Sequence, residues 1–312
     1  MMVVSLSIYF FFTDQLVDSS TLKQVLISGN SVAHPTVIVS QPSCEYLLGI
    51  LTISSHSSLR NFIRKSWIND LPKNVCYKFL YDELKDIPEN EKFDGIPLKA
   101  KHKGWAVRFG EKLYRYYKYV NYTQQFKDVK YVVKMDDDAI LCPKKFFNYL
   151  SDKNLTTKSY VGWFHGMESW ESKVDEEHRS DEMFVLLGRD LVNRIVSREY
   201  CWSEERKDCD SLNQLYDTNY GGTSLGIWLS EMNDINPLPM NDVFDHMNSN
   251  DKLKPKDAIL FHTAKTPEIA KEKYSYCISS SITLSLKVQQ LTIIQIFFML
   301  TPRMIEMNIL IS

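Results

Sequence analysis

Short apolar runs alternate with amphipathic stretches through the middle of the chain. Tyr46–Ile53 (YLLGILTI) has the length and composition of a buried strand. Ser57 or Ser58 can then cap a helix over Leu59–Ile68, with Leu59, Phe62, Ile63 and Trp67 on one face. Val75–Tyr81 predicts a second strand, followed by an acidic loop through Asp82, Glu83 and Asp86. Gly104–Val120 carries apolar residues at helical spacing, from Trp105 and Val107 to Tyr117 and Val120. Val129–Met135 predicts a third strand, and Pro143 opens a helix reaching Leu150, where the missing N–H costs nothing. Ser159–Phe164 and Met183–Leu187 read as strands, and Arg189–Val196 and Ser224–Glu231 as helices. Ala258–Phe261 is a last apolar strand, ending at His262.

Strands alternating with helices at this spacing predict an α/β fold, a single Rossmann-like domain with a mostly parallel central sheet. Ligands of such sheets gather at the carboxyl ends of the strands. The domain is expected over 45–277. Before it, residues 1–44 hold an apolar run, Val3–Phe12, and then a stem with Pro35 and Pro42. The run is about half of the roughly 20 residues that cross a bilayer, and no Lys or Arg precedes it. A secretory signal or shortened anchor and a plain apolar arm both fit. Residues 278–312 form an apolar, Ser/Thr-rich tail, most hydrophobic at Leu291–Leu300.

Composition narrows the class. Across 312 residues, 37 basic and 39 acidic side chains give a net charge of −2, which argues against nucleic acid as a partner. Hydrophobic residues at 44% and charged ones at 24% exclude wholesale disorder. None of the six cysteines forms a CxxC pair, so a zinc ribbon or thioredoxin-like site is not indicated. Up to three disulfides are allowed, and Cys201 and Cys209 are close enough to close a small loop. Sequons at Asn121 and Asn154 are compatible with a lumenal address.

The most informative segment is YVVKMDDDAILCP. An apolar strand runs directly into Asp136, Asp137 and Asp138. Three adjacent carboxylates repel one another and serve no purpose in a strand end, although an acidic turn or helix cap would also tolerate them. In an extended segment residues i and i+2 point the same way, so Asp136 and Asp138 can offer oxygens to one hard cation. Mg²⁺ or Mn²⁺ favours such ligands and is commonly shared with substrate phosphates.

The run Lys134-Met135-Asp136-Asp137-Asp138 resembles the K-x-D-D-D element of the β-1,3-galactosyltransferase family, which includes the fringe-like enzymes. Upstream, Leu59–Trp67 (LRNFIRKSW) resembles that family's R-x-x-I-R-x-T-W helix. Downstream, Tyr160-Val161-Gly162, Phe184-Val185-Leu186 with Arg189-Asp190-Leu191, Leu225–Leu229 and Phe261-His262 resemble its later elements. The likeness covers roughly residues 45–265, in the right order.

This resemblance implies a GT-A type fold, a UDP-sugar donor, a glycan acceptor on protein or lipid, and Mn²⁺ (or Mg²⁺) bridging the diphosphate. It implies inverting transfer of galactose or N-acetylglucosamine in the Golgi or secretory-pathway lumen, with membrane association through the N-terminal segment. Carried over by position, Asp138 binds the metal, Asp136 the metal or the ribose, and Asp137 the donor sugar or ribose. His262 is the late metal ligand, although a lone histidine is as readily a core residue. Arg64 helps hold the nucleotide or the first helix, and Lys134 either neighbours the phosphates or is a solvated strand-end charge.

The family's base lies in an E-D-V element, where this chain has Gly221 and Gly222. Glycine has no side chain to accept a proton. The missing carboxylate could come from Asp217, or from Asp242 or Asp245; Asp217 is also a natural turn residue. Otherwise the chain is a catalytically impaired relative that binds nucleotide sugar or glycan without turnover. A metal-dependent phosphoryl-transfer enzyme is a third reading, although no P-loop or kinase motif accompanies the triplet. The glycine pair itself reads as a backbone loop that could receive an anion before a helix N-terminus or, more simply, as a tight turn before the helix.

Overall fold

The structure, a computed structural model, describes residues 44–100, 109–165, 178–198, 221–230, 232–245, 253–262 and 264–278. Val3–Phe12, the stem, Trp105, Val107, Trp170, Cys201, Cys209, Asp217 and the 279–312 part of the tail lie outside the described residues.

The architecture is α/β. A seven-stranded sheet has the order β3-β2-β1-β4-β7-β6-β8, built from β1 (Tyr46–Leu51), β2 (Val75–Tyr81), β3 (Gly95–Pro97), β4 (Tyr131–Asp136), β6 (Ser159–Phe164), β7 (Ser180–Gly188) and β8 (Asn236–Pro239). The pairs β3–β2, β2–β1, β1–β4 and β6–β8 are parallel, and β7 alone runs backwards between β4 and β6. A small second sheet joins β5 (Ile140–Leu141), β10 (Leu260–Phe261) and β9 (Phe244–Asp245).

Helices cover both faces of the main sheet. On one face, α1 (Ser57–Lys65), α3 (Pro143–Ser151) and a last helix over 267–278 contribute Leu59, Ile63, Phe146, Leu150 and Tyr274 to a core with Val133 and Met135. On the other, α2 (Phe109–Tyr122), α4 (Arg189–Ser197) and α5 (Gly221–Ser230) bury Leu113, Tyr117, Leu191, Ile195, Leu225 and Trp228 against Val132 and Val185. The two-sided core explains why β4 reads as a nearly continuous apolar run rather than an alternating one. Tyr116 lies across β1 at Gly49, where a Cβ would fall 2.4 Å from its ring.

The predicted strands and helices are present with shifted ends. The first helix stops at Lys65, and Trp67–Asp70 continues as a 3-10 turn. The strand expected at Met183 begins at Ser180. Gly221 and Gly222 are a correction: they form the first turn of α5 rather than a tight turn before it. Four short strands, β3, β5, β8 and β9, had no visible period. With Pro237 and Pro239, β8 sits where proline is tolerated, at the sheet edge. Disulfides join Cys44 to Cys76, and Cys142 to Cys277. Among the described residues no helix is long and apolar enough to cross a membrane.

Candidate functional site

The site forms at the carboxyl end of β4. Leu51 of β1 stands beside Asp136, so the ends of the two central parallel strands are level. The Ala139 amide then donates to the Asp136 carbonyl at 3.1 Å and turns the chain into β5. β10 runs antiparallel to β5, with Phe261 opposite Ile140 and Leu260 opposite Leu141. That register carries His262 back to the acidic turn. The Ala264 amide closes the loop onto the Asp138 carbonyl at 2.8 Å. The Cys142–Cys277 disulfide ties the residue after β5 to the last helix, and so secures the frame that presents both parts of the site.

Asp136, Asp138 and His262 converge. One ligand atom from each lies within 4.8 Å of the others, and all three side chains are buried. His262 Nε2 is 3.3 Å from Asp138 Oδ1. Burial pushes Asp136 up to about 7, with Lys134 opposing and Asp138 adding to the rise. Burial also acts to raise Asp138, but the hydrogen bond and charge of His262 outweigh it and hold this carboxyl below its usual value. Two buried carboxylates and an imidazole form an oxygen-rich donor set that suits Mn²⁺ or Mg²⁺ with an added nitrogen ligand. The residues present therefore fit a divalent cation.

Lys134 is buried, neither solvated nor free. Its Nζ donates to Asp136 Oδ1 at 2.6 Å and to the Glu182 carbonyl, and it lies 5.3 Å from the centre of the Phe109 ring. Positions 134 and 136 share a face by strand alternation, which brings the ammonium onto the carboxylate.

Asp137 turns to the opposite face. Its carboxylate accepts from Thr52 and lies 2.9 Å from His56 Nδ1, with the side chain fully buried. Burial raises its pKa, with His56 and Thr52 opposing. The hydrogen bond to Asp137 raises His56 in turn. The same i, i+2 alternation that groups Asp136 with Asp138 aims Asp137 at the loop after β1.

Arg64 holds the first helix. Its guanidinium donates to Asp94 at 2.8 and 2.9 Å and to Glu91 at 2.7 Å, well occupied by carboxylates. Asp70, at the end of the 3-10 turn that follows the helix, accepts from the Tyr274 hydroxyl. The fully buried Arg60 shares Glu91 and also donates to Thr52 Oγ1 at 3.1 Å and to the carbonyls of Ile53 and Ser54. This network pins the loop after β1 against the acidic turn.

Among the other candidate bases, Asp242 is exposed and Asp245 pairs with Lys273 at 2.7 Å. Trp163 meets His165 edge-on at 4.9 Å. Sequence reasoning passed over Thr52, His56 and Glu182. The signal available for Glu182 was an acid at the third position of the strand SDEMFVLLG.

No family model matches the chain, and no curated protein matches it. Solved structures are similar at low identity. A glycosyltransferase involved in the glycosylation of the major capsid of PBCV-1 gives a TM-score of 0.39 at 8% identity, over 76% of this chain and 99% of that one. The bifunctional glycosyltransferase WbbM gives 0.40 at 11%, over 76% of this chain and 50% of that one. The galactosyltransferase LgtC, in complex with donor and acceptor sugar analogs, gives 0.41 at 10%, over 73% and 95%. At this level of similarity a shared chemistry does not follow.

Proposed function

We propose that the chain is a metal-dependent glycosyltransferase of the GT-A type. It transfers a hexose, galactose or N-acetylglucosamine, from a UDP-sugar to a glycan acceptor with inversion. The observation that carries this reading is the convergence of Asp136, Asp138 and His262 at the carboxyl end of a central parallel strand. The ordered resemblance of the surrounding segments to the β-1,3-galactosyltransferase family supports it.

A bound Mn²⁺ would supply positive charge for the diphosphate leaving group. Asp136, Asp138 and His262 would hold it. Lys134 keeps Asp136 compensated when no cation is bound, and Asp137 braces the acidic turn through Thr52 and His56. Two disulfides support an oxidising compartment, the secretory-pathway lumen, where glycan acceptors are found. Membrane association through the N-terminal run belongs to the same reading.

Gly221 and Gly222 favour a second reading, in which the chain binds nucleotide sugar without turnover. Measuring UDP release from UDP-galactose and UDP-N-acetylglucosamine, with Mn²⁺ and a panel of glycan acceptors, separates the two. Release abolished by EDTA supports the transferase. UDP binding without release supports the second reading, and the loss of both refutes each.

A further inference from the structure

Among the described residues, the acidic side chains near the metal-ligand cluster differ in what holds them. Asp137 is held by Thr52 and His56, and Asp245 is neutralised by Lys273. Asp181 accepts from the Met183 amide at 3.1 Å and faces His165 Nε2 at 3.4 Å. Glu182 stands apart. Its carbonyl accepts from Lys134, the same ammonium that pairs with Asp136, so its backbone sits one side chain away from the cluster. Its half-buried carboxylate points to the start of α5, where the Gly222 amide lies 3.4 Å from Oε2. Among the described residues no lysine or arginine forms an ion pair with it.

Gly222 explains the arrangement. A Cβ there would fall 2.5 Å from the Ser180 carbonyl oxygen and 3.2 Å from Glu182 Oε2. The approach is to backbone on one side, so a side chain at 222 requires the helix to move. At position 222 α5 is packed too closely on β7 to carry a side chain without moving, and the strand places an acid in the adjoining space.

We propose that Glu182 is the general base of this enzyme, taking the role that an acid at position 222 cannot fill. The inference rests on the glycosyl-transfer reading above. In the step, the acceptor oxygen bonds to the anomeric carbon. The bond from that carbon to the diphosphate oxygen breaks, and its electron pair leaves with UDP. The hydroxyl proton passes to the Glu182 carboxylate. General-base removal typically costs on the order of 10²–10⁴ in rate.

The test compares wild type with Glu182→Gln and Glu182→Ala in three measurements: Mn²⁺-dependent UDP binding by calorimetry, transfer from UDP-galactose and UDP-N-acetylglucosamine to glycan acceptors, and donor consumption with sodium azide. Azide has no proton to lose, so it needs no base. Both variants should bind UDP within about twofold of wild type, lose transfer by about 100-fold or more, and recover donor consumption with azide as a glycosyl azide. Transfer by Glu182→Gln within threefold of wild type overturns the inference alone. So does lost UDP binding, which would make Glu182 a donor-binding residue, or a failure of azide to act on variants that still bind UDP. A wild type that binds UDP but transfers to no acceptor overturns the glycosyl-transfer reading itself, and the inference with it.

Discussion

Replacing Glu91 with Gln tests the ionic frame beneath the site. Glu91 is buried, with Oε2 accepting from Arg60 at 2.7 Å, Arg64 at 2.7 Å and Tyr81 at 2.8 Å. Burial alone would raise its pKa, but the two guanidiniums and the phenol outweigh it and bring it from 4.5 to about 2. At 1.36 kcal/mol per pKa unit, that gap contributes about 3 kcal/mol to stability at neutral pH. Gln keeps the shape and an acceptor oxygen but leaves Arg60 without a counter-charge, and breaking a buried pair in this way costs roughly 3–5 kcal/mol. The two routes agree on about 3 kcal/mol. The sign follows from the depressed value. The stabilisation is fully present above about 4.5 and is lost as the pH falls toward 2. Urea denaturation of wild type and Glu91→Gln at pH 7, 5, 3.5 and 2.5 measures this directly. The difference should be about 3 kcal/mol at pH 7 and should close across the two lower points. A gap below about 1 kcal/mol at pH 7, or one that persists unchanged at pH 2.5, refutes the electrostatic account.

Three further outcomes follow from the geometry. Asp138→Asn and His262→Ala should each weaken Mn²⁺ binding by about tenfold or more in calorimetry, and two variants with wild-type affinity would dissolve the metal centre. Gly222→Ala should lower stability by about 1–3 kcal/mol in urea melts, because its Cβ meets the Ser180 carbonyl at 2.5 Å; a neutral result would show that α5 shifts freely. Cys142 and Cys277 are 135 residues apart, so opening their bridge with Cys277→Ser should cost up to about 5 kcal/mol by loop entropy, read as a fall in Tm; an unchanged Tm would contradict the role assigned to this tie.

How much of this was legible in the sequence depends on the range of the interaction. The apolar runs at Tyr46 and Val129 and the periodic faces of α1, α2 and α4 are local signals, and each produced its element. The Asp136–Asp138 pairing was equally legible, because strand alternation acts within three residues. The same rule, applied one residue further along, would have turned Asp137 away toward Thr52. The short strands β3, β5, β8 and β9, of two to four residues each, are too short to show a period and form because partners are already in place.

By itself the sequence determined the alternation of strands and helices, the placement of three carboxylates at a buried strand's end, and the absence of an acid at positions 221 and 222. Tertiary structure decided the rest. Only the antiparallel register of β5 with β10 brings His262 across more than a hundred residues to Asp138. Only the close packing of α5 on β7 shows that a side chain at position 222 would press on the Ser180 carbonyl and that Glu182 borders the same space. Side-chain direction within a strand is set by neighbours in sequence. Which strands meet, and at what distance a helix rests on them, is set by a core that no local pattern specifies.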